Sequence, residues 1–197
     1  MATQEYQADL LWALEMLAWD ADLMPQAARL LARLVAETPP RRTGNRPDSA
    51  LRQVFVSWFP QTCAPLSRRF EVIDRILRAY PAVGWNLLLQ LAPHAHDISE
   101  PSPHPLWRDF MPERIEPLTP REVFKANQEV EKRLLDNAGH DVGRWASILN
   151  RWSNFDPAWR VAAVEVLVRV APIVEEPLAR EHLRDRLRSL GARPDRV

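Results

Sequence analysis

Three histidines and an aspartate, His94, His96, Asp97 and His104, crowd into PHAHDISEPSPHPLWRDFMP (residues 93–112). Imidazole and carboxylate groups ligate zinc, iron or manganese, and a metal held there would activate water for hydrolysis. The spacing argues the other way. Zinc is ordinarily held by two histidines spaced along a helix, or by Cys and His sets at fixed intervals, and His-x-His-Asp is neither. Pro93, Pro101, Pro103 and Pro105 restrict the segment, and no acidic residue is evidently placed as a base. Histidine and aspartate also bond backbone groups and cap turns in ordinary loops. A connector therefore ranks ahead of a metal-dependent hydrolase using His94, His96, Asp97 and His104, and no cofactor is expected.

The second candidate chemistry is recognition of an anion. Arg41, Arg42 and Arg46 with Arg52, and then Arg68 and Arg69, cluster near two corners of the chain. Arginine pairs bidentately with carboxylates and phosphates, so a nucleic-acid-binding module is the alternative these residues support. Solvated arginines paired to nearby acids are the commoner reading. Trp107 and Arg108, in PLWRDF, lie on no clear stripe, and Trp107 could anchor the long loop or serve as an interface hot spot. Other catalytic constellations are missing: there is no phosphate loop of the G-x-x-x-x-G-K type, no G-x-G-x-x-G and no G-x-S-x-G. Cys63 has no histidine beside it in sequence, so a spare thiol is expected rather than a nucleophile. Glu113, Glu116, Glu129 and Glu131 are expected to be solvated charges.

Elements that would carry these residues are helical throughout. The 197 residues have a formal net charge of zero, which removes the general electrostatic argument for a nucleic-acid binder. One cysteine excludes an intramolecular disulfide and fits a reducing, cytoplasmic setting; no apolar run is long enough to span a membrane. Eighteen prolines against five glycines suggest stiff corners between helices rather than hairpins. Apolar spacing predicts helices over about 5–19, 22–37, a short stretch capped by Asp48 or Ser49, one capped by Ser67 and ended at Tyr80-Pro81, and its antiparallel partner over 82–91. Residues 92–118 form a Pro- and His-rich connection. Thr119-Pro120-Arg121-Glu122 then reads as a capping box with proline at the first helical position, and Gly139 as the stop. Val142, Trp145, Ile148, Leu149 and Trp152 mark the next helix. Asp156-Pro157 opens another, with Trp159, Ala162, Ala163, Val166, Leu167 and Val170 as its stripe. A last helix over about 176–190 carries Leu183, Leu187 and Leu190.

Two segments echo each other without gaps: WDADLMPQAARLLARLV (19–35) and FDPAWRVAAVEVLVRVA (155–171) match at Asp20/Asp156, Ala27/Ala163, Leu31/Leu167 and Arg33/Arg169. Two capped amphipathic helices share that much by pattern alone, so the echo supports a helical repeat without identifying one. The first helix is apolar nearly all round, from Leu10 to Trp19 save for Glu15, whereas a terminal repeat normally shows a polar outer face. The expectation is that the chain is a segment of a larger protein or self-associates through that end.

NRPDSALRQVFVSWFPQT (45–62) and VGWNLLLQLAPHAHDISEPSPHPLWRDF (83–110) resemble a segment of large bacterial proteins in which a helical-repeat region follows an N-terminal nucleotide-hydrolysing or sirtuin-like effector domain, an architecture similar to anti-phage defence proteins. The resemblance rests on the N-R-P turn, the W-x-P-Q-T corner, the G-W-x-L-L helix and the H-D-x-S-x-P…P-x-W-R-D loop, and covers about a third of the chain. It implies a sensing or scaffolding segment and transfers no catalytic role. Together these features predict an all-α fold: antiparallel helix pairs over about 5–91 and 119–190, joined by the 92–118 connection and stacked as one short right-handed α-solenoid of the HEAT/TPR kind. The expected function is protein interaction with a partner or a second copy, without catalysis.

Overall fold

A computed structural model describes residues 2–38, 46–94 and 118–170, together with residues 181, 185 and 188. Among these the protein is all-helical, with eight α-helices, one 3₁₀ turn and no strand. The chain divides into two compact units. One comprises residues 1–91 and 96–129, the other 92–95 and 130–197.

In the first unit α1 (Ala2–Ala18), α2 (Met24–Glu37), α3 (Pro47–Phe55), α4 (Leu66–Ala79) and α5 (Pro81–Leu91) follow in order. α2 lies at the centre, against α1, α3, α4 and α5. Its sequence explains why. Ala27, Ala28, Leu31 and Ala32 are all essentially inaccessible, and small residues on two adjoining faces let neighbouring helices approach from both sides. α4 and α5 are joined by Tyr80 alone and fold back on each other, with Phe70, Ile73 and Ile76 of one helix and Val83, Leu87 and Leu88 of the other in the core. Gly84 makes the closeness possible. A Cβ built there would lie 2.7 Å from the Leu77 Cα and 2.8 Å from its Cδ2.

Two helix starts differ from the sequence expectation. α3 begins at Pro47, with Arg46 rather than Asp48 or Ser49 at the cap, and α4 begins at Leu66, with Pro65 at the cap and Ser67 inside the first turn. Pro47 fits the first helical position because its missing N–H would have had no partner there, so the helix starts two or three residues earlier.

The division between units falls within α6 (Pro120–Ala138), which α7 (Val142–Leu149), the 3₁₀ turn Trp152–Asn154 and α8 (Pro157–Val170) follow. The capping box is formed as predicted. The Glu122 Oε2 accepts from the Thr119 N–H and hydroxyl, both at 2.8 Å, and the Thr119 Oγ1 accepts from the Glu122 N–H at 3.3 Å. Gly139, at φ +54°, ends α6 in the left-handed region that a side chain disfavours. Asp141 caps α7 by accepting from the Arg144 N–H at 3.0 Å.

In the second unit, indole N–H groups tie helices together. Trp145 donates to the Gly139 carbonyl at 2.9 Å and Trp159 to the Glu131 carbonyl at 2.8 Å, while the Phe155 and Trp159 rings lie 4.3 Å apart. The Trp159 stripe is narrower than its spacing suggested: Trp159, Ala163, Leu167 and Val170 are buried, Val166 is half-buried and Ala162 is exposed. The predicted helix over 176–190 lies largely outside the described residues; residues 181, 185 and 188 are helical and exposed.

The echoed positions do the same local work. Asp20 Oδ1 accepts from the N–H groups of Asp22 (2.6 Å) and Leu23 (3.1 Å), as Asp156 Oδ1 does from Ala158 (2.8 Å) and Trp159 (3.4 Å). Ala27 and Leu31 are buried in one helix and Ala163 and Leu167 in the other. The likeness stops there. Ala28 and Ala32 of α2 are fully buried, whereas their counterparts Val164 and Val168 are 40% and 64% exposed.

Candidate functional site

The sequence singled out two kinds of residue, and the fold treats them differently. Of the histidine loop, His96, Asp97 and His104 lie outside the described residues, as do Trp107, Arg108, Arg41 and Arg42. His94 is exposed beyond the end of α5. No cluster of three or more His, Cys, Asp or Glu side chains suited to a metal occurs among the described residues.

The described arginines are separated by their surroundings. Arg46 grips Asp48 with two prongs, Nε to Oδ1 at 3.0 Å and Nη2 to Oδ2 at 2.7 Å. Asp48 sits in the first turn of α3, where its negative charge suits the helix start. Arg52 donates its Nε to the Gln90 carbonyl at 3.2 Å, joining α3 to the last turn of α5. Arg68 pairs with the Asp22 carboxylate at 3.1 Å on the surface. Arg69, next along α4, is 6% exposed, and its Nε is buried without a hydrogen-bond partner among the described residues. Burial pulls the Arg69 guanidinium down to about 10, against the opposing pull of the Glu122 carboxylate. Charge type alone could not have told these four apart.

Two further polar groups carry information. Glu131, expected to be solvated, is 3% exposed: its Oε1 accepts from the Asp156 N–H at 3.1 Å, so a carboxylate of α6 reaches the backbone at the start of α8. Burial raises its pKa above the ordinary carboxylate value, the Asp156 N–H pulls it back, and the Asp156 charge raises it. Cys63 is half-buried, and burial followed by the charge of Asp20 pushes its thiol up. A raised thiol pKa opposes thiolate formation, so Cys63 lacks the environment of a nucleophile.

Several large apolar side chains stand exposed on the helices. Leu10, Trp12 and Leu17 of α1 are 46%, 55% and 41% exposed. Leu10, Ala13 and Leu17 follow i, i+3, i+7 spacing along one strip, with Trp12 and Met16 on the adjoining one; Asp9 is the acidic residue among them. The buried side of the same helix, Leu11, Leu14 and Ala18, already faces the core. The sequence signalled this by leaving α1 apolar on nearly every side. Leu23, at the cap of α2, and Leu30 within it add to the exposed apolar surface of this unit, and Trp58 and Phe59 form a further exposed pair with ring centroids 6.1 Å apart.

Comparison with known proteins supplies no relative: no family model, curated protein or solved structure matches the chain. Among the described residues no helix is long and apolar enough to cross a membrane.

Proposed function

We propose that this chain is a non-catalytic interaction segment, a sensor or scaffold built of antiparallel helix pairs in a short α-solenoid and working in the cytoplasm, which binds a protein partner along the outer face of α1. The exposure of Leu10, Trp12 and Leu17 carries the reading. Large apolar side chains left exposed on one helix are what recognition surfaces use, with tryptophan a frequent anchor. The chemistry of the partner follows from charge. The α1 sequence holds Glu5, Asp9 and Glu15 and no lysine or arginine. Two copies of α1 laid together would bring acid to acid with no cation between them, so the charges favour an amphipathic helix with a basic rim over a second copy. The sensing or scaffolding role agrees with what the resemblance of segments 45–62 and 83–110 implies. Arg46 and Arg68, occupied by Asp48 and Asp22, lend the nucleic-acid alternative no support.

A fluorescein-labelled peptide helix with leucines at i, i+3/i+4, i+7 and lysines on both flanks tests this. It should bind saturably at one site, and the double change Trp12→Glu, Leu17→Glu should weaken it about tenfold or more. Replacing the peptide lysines by glutamates should weaken it too. Unchanged binding by the double variant overturns the proposal, and a mass that doubles with concentration in sedimentation reassigns the face to a second copy.

A further inference from the structure

The start of α4 combines features that its own chain leaves unanswered. The Arg69 N–H donates to the Pro65 carbonyl at 3.1 Å, so the N–H groups of Leu66, Ser67 and Arg68 precede the first helical bond. Pro65 offers no side-chain acceptor, and the first turn holds no acidic residue. In place of a carboxylate it holds Ser67, exposed, and the Arg68-Arg69 pair. An open helix start alone would be satisfied by water. Arg69 is the independent observation. It is more than nine-tenths buried, and its Nε has no hydrogen-bond partner among the described residues. Buried charges in folded proteins are paired, because an unpaired one carries an uncompensated desolvation cost.

Neither nearby carboxylate closes on Arg69 as an ion pair among the described residues. Asp22 lies on Arg68 at 3.1 Å. Glu122 acts on Arg69 across space, but its Oε2 is held by the N–H and hydroxyl of Thr119 at the start of α6. A helical side chain leans back over the turn that precedes its own Cα, which brings a guanidinium on the fourth residue of α4 within reach of the end where the open N–H groups lie. A buried fork of donors, a hydroxyl and a helix start carrying partial positive charge share one complement, an oxygen-rich anion.

We propose that the first turn of α4 binds a phosphate-class oxyanion, with Arg69 as its buried cation and Ser67 and the backbone N–H groups of the turn as its remaining donors. Arg68, paired with Asp22, lies at the rim. The site is separate from the α1 face and does not depend on it. Free phosphate and the phosphate of a small nucleotide carry the same chemistry here.

Inorganic phosphate titrated into the full chain at constant ionic strength, read by calorimetry and by melting temperature, is the first measurement. One saturable site per chain and a rising melting temperature are expected. Arg69→Met should weaken phosphate about tenfold or more, as loss of a charged hydrogen-bonding partner does. Ser67→Glu places a carboxylate on an exposed position of the same turn; it should raise the melting temperature without phosphate and remove the response to it. That variant keeps the test intact if Arg69→Met fails to fold. Adenosine monophosphate at the same concentrations separates the sources: tighter binding than phosphate assigns a nucleotide, equal binding the free anion. No saturable response beyond that to matched chloride, or an undiminished response in Ser67→Glu or in folded Arg69→Met, overturns the site.

Discussion

Replacing Gly84 by alanine should destabilise a helix that alanine ordinarily strengthens. In an open helix interior the change is worth about 1 kcal/mol in favour of alanine. At Gly84 the new methyl would sit 2.7 Å from the Leu77 Cα, 2.8 Å from its Cδ2 and 2.9 Å from its Cγ. Carbon atoms rest about 3.5–4.0 Å apart, so α4 and α5 must separate by roughly 1 Å. The obstacle includes backbone, and Leu77 cannot simply turn its side chain away. Overpacking of this kind costs about 1–3 kcal/mol, and a backbone contact belongs at the upper end. Offsetting the propensity gain leaves a net loss of about 2 kcal/mol, or about 4–8 °C in melting temperature for a chain of this size. Urea unfolding followed by tryptophan fluorescence reads it directly, since Trp85 lies on the same helix. Gly143→Ala is the control. There the methyl would meet only the Asp141 Oδ1, at 3.2 Å, which must give by a few tenths of an ångström while it caps α7, so the propensity gain and the strained cap should nearly cancel and stability should change by less than about 1 kcal/mol. A Gly84→Ala protein as stable as the wild type would refute the close approach of α4 and α5 and the packing argument built on it.

Glu131 should show its burial through pH. Its folded pKa lies above the unfolded value, so the folded state binds the proton more tightly; the cost of the buried charge is fully present above the folded pKa and fades as pH falls to the unfolded value near ~4.3. Glu131→Gln keeps an acceptor for the Asp156 N–H and should be at least as stable as the wild type at pH 7, with the advantage shrinking towards pH 4. Glu131→Ala removes the acceptor and should lose about 1–2 kcal/mol in chemical denaturation. A Gln variant much weaker than the wild type at pH 7 would contradict this account. Thr119→Ala removes one half of the capping box and should cost about 1 kcal/mol, seen as faster amide exchange at the start of α6; unaltered exchange there would count against the box.

How much could be read in advance depended on how far each interaction reaches along the chain. The capping box at Thr119, the aspartate turns at Asp20 and Asp156 and the glycine stop at Gly139 all act within three residues, so residue type and spacing were enough to place them. The helical period was equally plain, because one face must be apolar wherever a helix meets a core. The misplaced starts of α3 and α4 were local as well. Proline suits the first helical position as well as a polar cap suits the one before it, and Pro47 decided the start of α3.

Burial is a different kind of property. Arg68 and Arg69 are adjacent and chemically identical, yet one pairs with Asp22 at the surface and the other is enclosed. Glu131 is charged like its solvated neighbours, but the start of α8 comes to it from 25 residues away. Ala28 and Val164 occupy equivalent places in the echoed segments, and among the described residues only α2 has helices on that side. By itself the sequence determined an all-helical chain, most of its helix ends and an α1 with more apolar surface than one core can take up. Tertiary structure alone decided which charges lost their water, which glycine lets two helices touch and which apolar strips stay open, because each depends on segments distant in sequence, and no local period encodes the partner.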